Sequence, residues 1–375
     1  MKSIDDLAYH QSHTPLHEQE EILGHSVRAM YLLTACADLG GAFLEDAKRL
    51  WADATEKKMY VTGGFGSEPQ SEGFSELPYY LPSSTGEGGC YAETCASIAA
   101  MMVSERLLSH ELNGRYRDIL ELCLYNAVLG GGSLDGKGFS YANKLATYGD
   151  ESALRSEWFE GFVSIEVKVP ESTQVALRLP VADWMLQPKF SLPTRPNAPG
   201  FVEVVLDAST TQILITFGLE TRLLRPNPRV GQDTLSVSRG PIIFVAEDVD
   251  NSDLDNANPH FELVGISESA KFTAIKSTIA GVPILQLSTD DVYVLNTADG
   301  GSANGVANGG VKLAKNDGAT QSLYATVNPD VPTRSWSKFP VHLTFVPWFA
   351  RGNRGGKGHL RVPFFRVGQD KIQQN

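Results

Sequence analysis

The chain reads as an α+β multidomain protein, with helices in its first third and β-strands in the remainder. Two observations predict this. Apolar residues recur at helical intervals up to about residue 130, and beyond Trp158 the apolar period changes to two. A third sets the scale: 375 residues with 42% hydrophobic and 20% charged content give room for two or three domains with ample core.

From Glu18 to Asp38 the apolar positions Ile22, Met30, Leu33 and Ala37 fall on one helical face. Phe43 to Lys57 continues with Leu44, Ala47, Leu50 and Trp51, so the pair predicts a helical hairpin. A Gly/Ser/Pro-rich loop follows from Gly63 to Gly89. Helical runs then cover Glu93–His110 and Tyr116–Leu129, separated by Asn113-Gly114. Strict alternation predicts strands at Val163–Val169, Val175–Leu179, Val202–Leu206 and Gln212–Phe217. Shorter β-rich runs predict others at Thr234–Ser238, Ile242–Ala246, Val292–Leu295 and His342–Val346, and two stacked sandwiches account for them. The segment Gly300–Gly310, rich in Gly, Asn and Ala, reads as a loop. No internal repeat is present.

Composition excludes several function classes. A net charge of -12 argues against nucleic acid, which needs a basic face to displace counterions. No run approaches the roughly 18 apolar residues that a membrane span requires, and the first residues lack the apolar core of a signal peptide. The four cysteines lie in the first third and no Asn-x-Ser/Thr sequon occurs, so the chain as written is expected in the cytoplasm.

Chemistry concentrates in Tyr91-Ala92-Glu93-Thr94-Cys95, a carboxylate and a thiol two residues apart at the mouth of a helical run. Zinc accepts both donors, although it wants four ligands, or three and a water. On a regular helix positions i and i+2 diverge by about 200°, so joint ligation needs an irregular helix start, which Gly88-Gly89 makes accessible. The plain alternative is a first-turn Glu favoured by the helix dipole beside a small buried Cys. Cys90 extends the pattern, while Cys36 and Cys123 lie on apolar faces and read as core. The histidines His10, His13, His17 and His25 do not by themselves fix a ligand geometry. The 68–87 loop carries Glu72 and Glu76, candidates for the general acid/base of glycoside cleavage. In and around it lie Phe65, Phe74, Tyr79, Tyr80 and Tyr91, which suit a sugar-stacking cleft or simply anchor the loop.

Several segments in order resemble glycoside hydrolase family 127, the β-L-arabinofuranosidase family. They are Gly24-His25-Ser26-Val27-Arg28-Ala29; Lys58 to Gly64 with Gly66-Ser67; Tyr91 to Ala99; and Leu124-Tyr125-Asn126 with Ser133-Leu134-Asp135-Gly136. Arg239-Gly240-Pro241 running to Glu247–Asn251, and Phe345–Phe349 followed by Asn353-Arg354-Gly355, resemble the same family's β-domains. The resemblance implies an (α/α)6 barrel followed by two β-sandwiches, here a partial barrel over 1–160, a partial middle sandwich over 161–235 and a C-terminal sandwich over 236–375. It also implies a zinc ion held by one Glu and three Cys, one of the latter being the nucleophile of a retaining mechanism. By motif match Glu93 and Cys95 are metal ligands, Glu72 is the catalytic acid/base and His25 contacts substrate. The substrate class implied is a plant-type arabinofuranoside or related glycan.

The chain departs from that pattern in two places. The family carries a Cys-Cys-Pro motif shortly after a Trp-Phe pair, whereas here Trp158-Phe159-Glu160 runs directly into Gly161-Phe162-Val163, and no cysteine follows Cys123. Twelve helices also do not fit into roughly 160 residues at ordinary lengths, so the barrel's first helices are expected to be missing. The sequence therefore predicts either a retaining glycosidase impaired as written or a catalytically inactive carbohydrate-binding remnant.

Overall fold

The computed structural model describes residues 7–68, 72–84, 86–148, 155–157, 175–206, 213, 215–258, 261–295 and 336–368. The predicted strand Val163–Val169, the Glu160–Gly161 junction and the Gly300–Gly310 loop lie outside them. The rest is mixed α+β, with helices first and strands after.

The predicted hairpin is α1 (Ser26–Leu39) and α2 (Gly41–Lys57), turning on Gly40 and Gly41, which both take positive φ. α1 starts eight residues later than the periodicity of Glu18–Asp38 suggests. Gly24 adopts φ 76° and Gly24–His25 pairs antiparallel with Gly73–Phe74, an extended segment that excludes helix there. Ile22 is buried all the same, its amide donating to Asp53 Oδ2 at 2.9 Å. α3 (Thr94–His110) and α4 (Gly114–Leu122) lie as predicted, with Asn113 capping α4 by accepting the Arg115 amide at 3.0 Å. Past α4 the chain widens into a π-helical stretch, Cys123–Val128, and closes with one 3-10 turn, Leu129–Gly131. α1 packs on α2 and α3, and α3 on α4, around Met30, Leu33, Leu50, Trp51, Val103 and Leu107. Among the described residues no helix is long and apolar enough to cross a membrane.

Most of the strands join one 12-stranded network. Its spine runs Thr273–Ile279, Val282–Thr289, Leu343–Pro347, Ile242–Glu247, Thr234–Arg239, Phe364–Val367, Val264–Ser267, Val292–Leu295 and Trp336–Lys338. All pairings are antiparallel except that of Val264–Ser267 with Phe364–Val367, which is parallel. Ala280 and Gly281, both at positive φ, make the tight turn of the longest hairpin. Thr221–Leu224 pairs with Thr234–Arg239, so the network begins ahead of residue 235. Between the helices and this network lie a three-stranded sheet, Val175–Pro180, Phe201–Leu206 and Arg195–Ala198, and the pair Leu186–Phe190 with Ile215–Gly218.

Two contacts lock the helical unit to the network. Ala146–Tyr148 adds as a strand beside His359–Arg361, and a mixed core forms from Tyr60, Cys90, Ala92 and Leu145 with Ile243, Val245, Val346 and Trp348. Over that core lies Arg351, 4% exposed, its guanidinium 3.9 Å from the Trp348 ring centroid. It donates to the Gly130 carbonyl and, at 2.6 Å, to Asn143 Oδ1. Gly130 admits it: a Cβ there would meet Arg351 Nη1 and Trp348 Cδ1, each at 2.7 Å.

Arg351→Met keeps the volume but leaves two buried acceptors unsatisfied, at about 1–3 kcal/mol each. The variant is expected to lose roughly 2–5 kcal/mol in urea unfolding; a loss below that range would show that Arg351 does not hold the two units together.

Candidate active site

The candidate site is built where three irregular segments meet. Gly24–His25 lies antiparallel to Gly73–Phe74 with His25 opposite Gly73, which sets the imidazole beside Glu72. Glu72 itself takes φ 55°, a left-handed conformation that costs a residue with a Cβ of order 1 kcal/mol or more. The Ser26 amide and hydroxyl, donating to the Glu72 carbonyl at 3.0 and 2.7 Å, hold it there. The third segment is Cys90-Tyr91-Ala92, whose Tyr91 and Ala92 amides both donate to the Gly66 carbonyl, with Cys90 and Ala92 again at positive φ. Gly89 makes this approach possible, because a Cβ there would lie 2.2 Å from the Ser67 carbonyl oxygen.

Glu93 is the N-cap of α3, extended at φ -68° and ψ 147°, so the irregular helix start expected from Gly88-Gly89 is present. Its side chain makes no capping bond; the carboxyl is 1% exposed and groups with those of His25 and Glu72. Asn143 fixes the turn, its amide and side-chain Nδ2 both donating to the Ala92 carbonyl at 3.0 Å and Nδ2 also to Thr94 Oγ1.

Around these carboxyls the groups converge. Glu72 Oε1 accepts from the Tyr91 hydroxyl at 3.0 Å, and Glu72 Oε2 stands 3.0 Å from His25 Nε2. The Tyr141 hydroxyl lies beside the Glu93 carboxyl and favours its charged form. Tyr91 and Tyr141 meet edge to face at 5.9 Å, with Phe139 behind Tyr141 and Tyr9 against His25. Ligand atoms of His25, Glu72 and Glu93 all lie within 4.8 Å of one another. Glu93 Oε1 and His25 Nδ1 are buried with no hydrogen-bond partner.

Burial pushes Glu93 up to about 6, and the neighbouring Glu72 charge adds to the effect while Tyr141 opposes it. Burial and the Arg28 charge hold His25 below the usual histidine range, keeping it neutral near pH 7. Cys95, half-buried in the first turn of α3, has its thiol pushed up by burial and by the Glu93 and Glu72 charges. It is not in the group of three converging donors.

The other candidates go elsewhere. Glu76 is exposed, and Phe65 and Phe74 are core residues packed on each other, not a sugar platform. Tyr79 carries Arg229 over its ring and Tyr80 donates to the Gly88 carbonyl. His10 contacts Arg28 and His17 contacts Glu18. Cys90 and Cys123 are fully buried, with thiols pushed up to about 12 by burial, and Cys36 sits in the helical core. Sequence reasoning missed Tyr141 and Asn143, which follow an unpredicted strand, Gly138–Ser140, and come to the pocket only through the Glu93–Ala142 bridge.

The raised Glu93 value has a definite sign for stability. Its neutral form suits the fold, so stability is full below about pH 4.5 and falls as pH rises through about 6, by roughly 2 kcal/mol in all. Chelator-treated Glu93→Gln is therefore expected to unfold at higher urea than the parent at pH 8 and at the same urea at pH 4. Equal midpoints at pH 8 would refute a buried, uncompensated carboxyl.

Comparison with known proteins gives the chain a family. The family model of the GH127 catalytic domain of β-L-arabinofuranosidases matches residues 1–163, and that of the glycoside hydrolase family 127 C-terminal domain matches 221–363. A curated non-reducing end β-L-arabinofuranosidase of Bifidobacterium longum subsp. longum is 28% identical over 362 residues, covering 74% of this chain and 54% of the relative. The chain thus spans about half the length of that relative. The crystal structure of a GH127 β-L-arabinofuranosidase from Geobacillus stearothermophilus T6 aligns with a TM-score of 0.70 at 22% identity, covering 96% of this chain and 63% of that one. A second solved glycoside hydrolase aligns at 0.72 and 20%, covering 97% and 70%. At these identities the structures attest a shared fold. With one family's catalytic and C-terminal models matched in order along a fold its solved members share, the chain belongs to glycoside hydrolase family 127.

Proposed function

We propose that this protein takes the terminal β-L-arabinofuranosyl unit of a plant-type glycan into the Glu72 pocket, with the acid/base machinery of a retaining glycosidase and without its cysteine nucleophile. On this reading the four helices are part of an (α/α)6 barrel and the sheets that follow belong to two β-sandwiches. The observation that carries it is the fork on Glu72. One carboxyl oxygen is held by Tyr91 and the other by His25, so the group is aimed and its proton has a neighbour to exchange with.

In this scheme Glu72 protonates the leaving glycosidic oxygen. His25, kept neutral by burial, orients the carboxyl and reaches a sugar hydroxyl. Tyr91 and Tyr141 present an aromatic wall to the ring's apolar face. The step that needs a second carboxylate or thiolate on the anomeric carbon has no family-position residue to perform it, because the sequence carries no cysteine beyond Cys123.

The zinc set of the family, one Glu and three Cys, does not fit this chain. Glu93 and Cys95 supply its first two members. Of the remaining thiols, Cys123 donates to the Gly63 carbonyl, Cys90 packs in the junction core and Cys36 in the helical core. Two protein ligands do not make a structural or catalytic zinc site, and no step is derived through zinc here.

Isothermal titration with methyl β-L-arabinofuranoside is expected to show binding, and p-nitrophenyl β-L-arabinofuranoside to release no nitrophenol above buffer. His25→Ala is expected to weaken binding by roughly tenfold through its lost hydrogen bond. Steady enzymatic release would overturn the missing-nucleophile reading, and absence of binding would overturn the sugar pocket.

A further inference from the structure

The donors that converge in this chain are not the sulfur-rich ones. We infer that His25, Glu72 and Glu93 form a nitrogen-and-oxygen site for a divalent cation. Three observations carry it. The ligand atoms of the three side chains lie within 4.8 Å of one another, from three separate segments of the chain. Bonds of about 2.0–2.2 Å to a zinc-sized ion set ligand atoms roughly 3–3.5 Å apart, so rotation of one carboxyl closes the set.

Glu93 is 1% exposed and its Oε1 has no hydrogen-bond partner. A buried acceptor left bare is costly, and a cation between the carboxyls removes that cost. Finally, the Glu72 carboxyl is steadied from outside by the Tyr91 hydroxyl, and the Tyr141 phenol lies beside Glu93. Outer donors of this kind orient ligating carboxylates and leave their inner oxygens for the metal.

Charge agrees with the geometry. Two carboxylates and a neutral imidazole carry two negative charges, which a divalent ion cancels. Three protein ligands leave positions open, and neighbouring hydroxyls of a furanose can occupy them. The inference stands apart from the arabinofuranoside reading, because the cation alone is its probe.

Co2+ titration of the chelator-treated chain tests it. One ion per chain is expected, with visible d–d bands and no thiolate-to-cobalt charge-transfer band in the near ultraviolet. Glu72→Gln, Glu93→Gln and His25→Ala are each expected to weaken Co2+ by at least roughly tenfold, the scale on which even outer-shell losses register. Glu76→Gln, an exposed carboxyl of the same loop, is expected to leave the affinity unchanged. Thermal melts in chelator verify that each variant folds, and the spectrum of the parent decides if one does not. A thiolate band, no bound Co2+, or binding indifferent to Glu72 and Glu93 would each overturn the assignment.

Discussion

The pocket depends on one buried cation, Arg351. It belongs to the C-terminal β-network, lies flat on Trp348 and donates to Asn143 and to the Gly130 carbonyl. Asn143 in turn holds the Ala92 carbonyl and Thr94 hydroxyl, the residues on either side of Glu93. The carboxyl at the mouth of α3 is therefore positioned by a residue more than 200 positions away. A guanidinium suits this task because its planar fork serves two acceptors and an aromatic face at once. The β-network is thus part of the site's scaffold as well as a neighbouring unit.

A second constraint is the backbone strain gathered around the carboxyls. Glu72, Cys90 and Ala92 all sit at positive φ, and the glycines that permit the surrounding turns, Gly24, Gly63, Gly66 and Gly88, do too. Such conformations persist when hydrogen bonds over-determine them, as the Ser26 and Gly66 contacts do here. The strain aims two carboxylates at one small volume. Burial then raises one of them, Glu93, while the Tyr91 and His25 contacts fork the other. That division of environments is how neighbouring carboxyl groups acquire different roles.

The fold of the family is carried by packing spread along this chain. The architecture survives over 96% of the chain against a solved member, with the helical core and the β-network each closed around their own aromatic and aliphatic residues. Packing is distributed over dozens of side chains and tolerates change. A reactive site rests on a few atoms, and the sequence given carries no cysteine beyond Cys123. Among the described residues the donors that converge are oxygen and nitrogen.

The sequence by itself determined the order of helix and sheet, since the switch of apolar period near Trp158 is a local signal. Helices α3 and α4 and the central strands Thr234–Arg239, Ile242–Glu247 and Val292–Leu295 lie where alternation or helical spacing puts them. It also named Glu72, His25, Glu93 and Cys95 through motif resemblance. Tertiary structure alone decided which of them meet. The late start of α1 is set by Gly24 pairing with Phe74, a contact between segments about fifty residues apart. Tyr141, Asn143 and Arg351 carry no local signal, because their partners come from distant turns. Cys95 was singled out by its spacing from Glu93, yet His25 and Glu72 are the donors that converge on that carboxyl. Sequence spacing reports direction along one helix, whereas a site assembled from three loops is fixed by hydrogen bonds that only the folded chain can make.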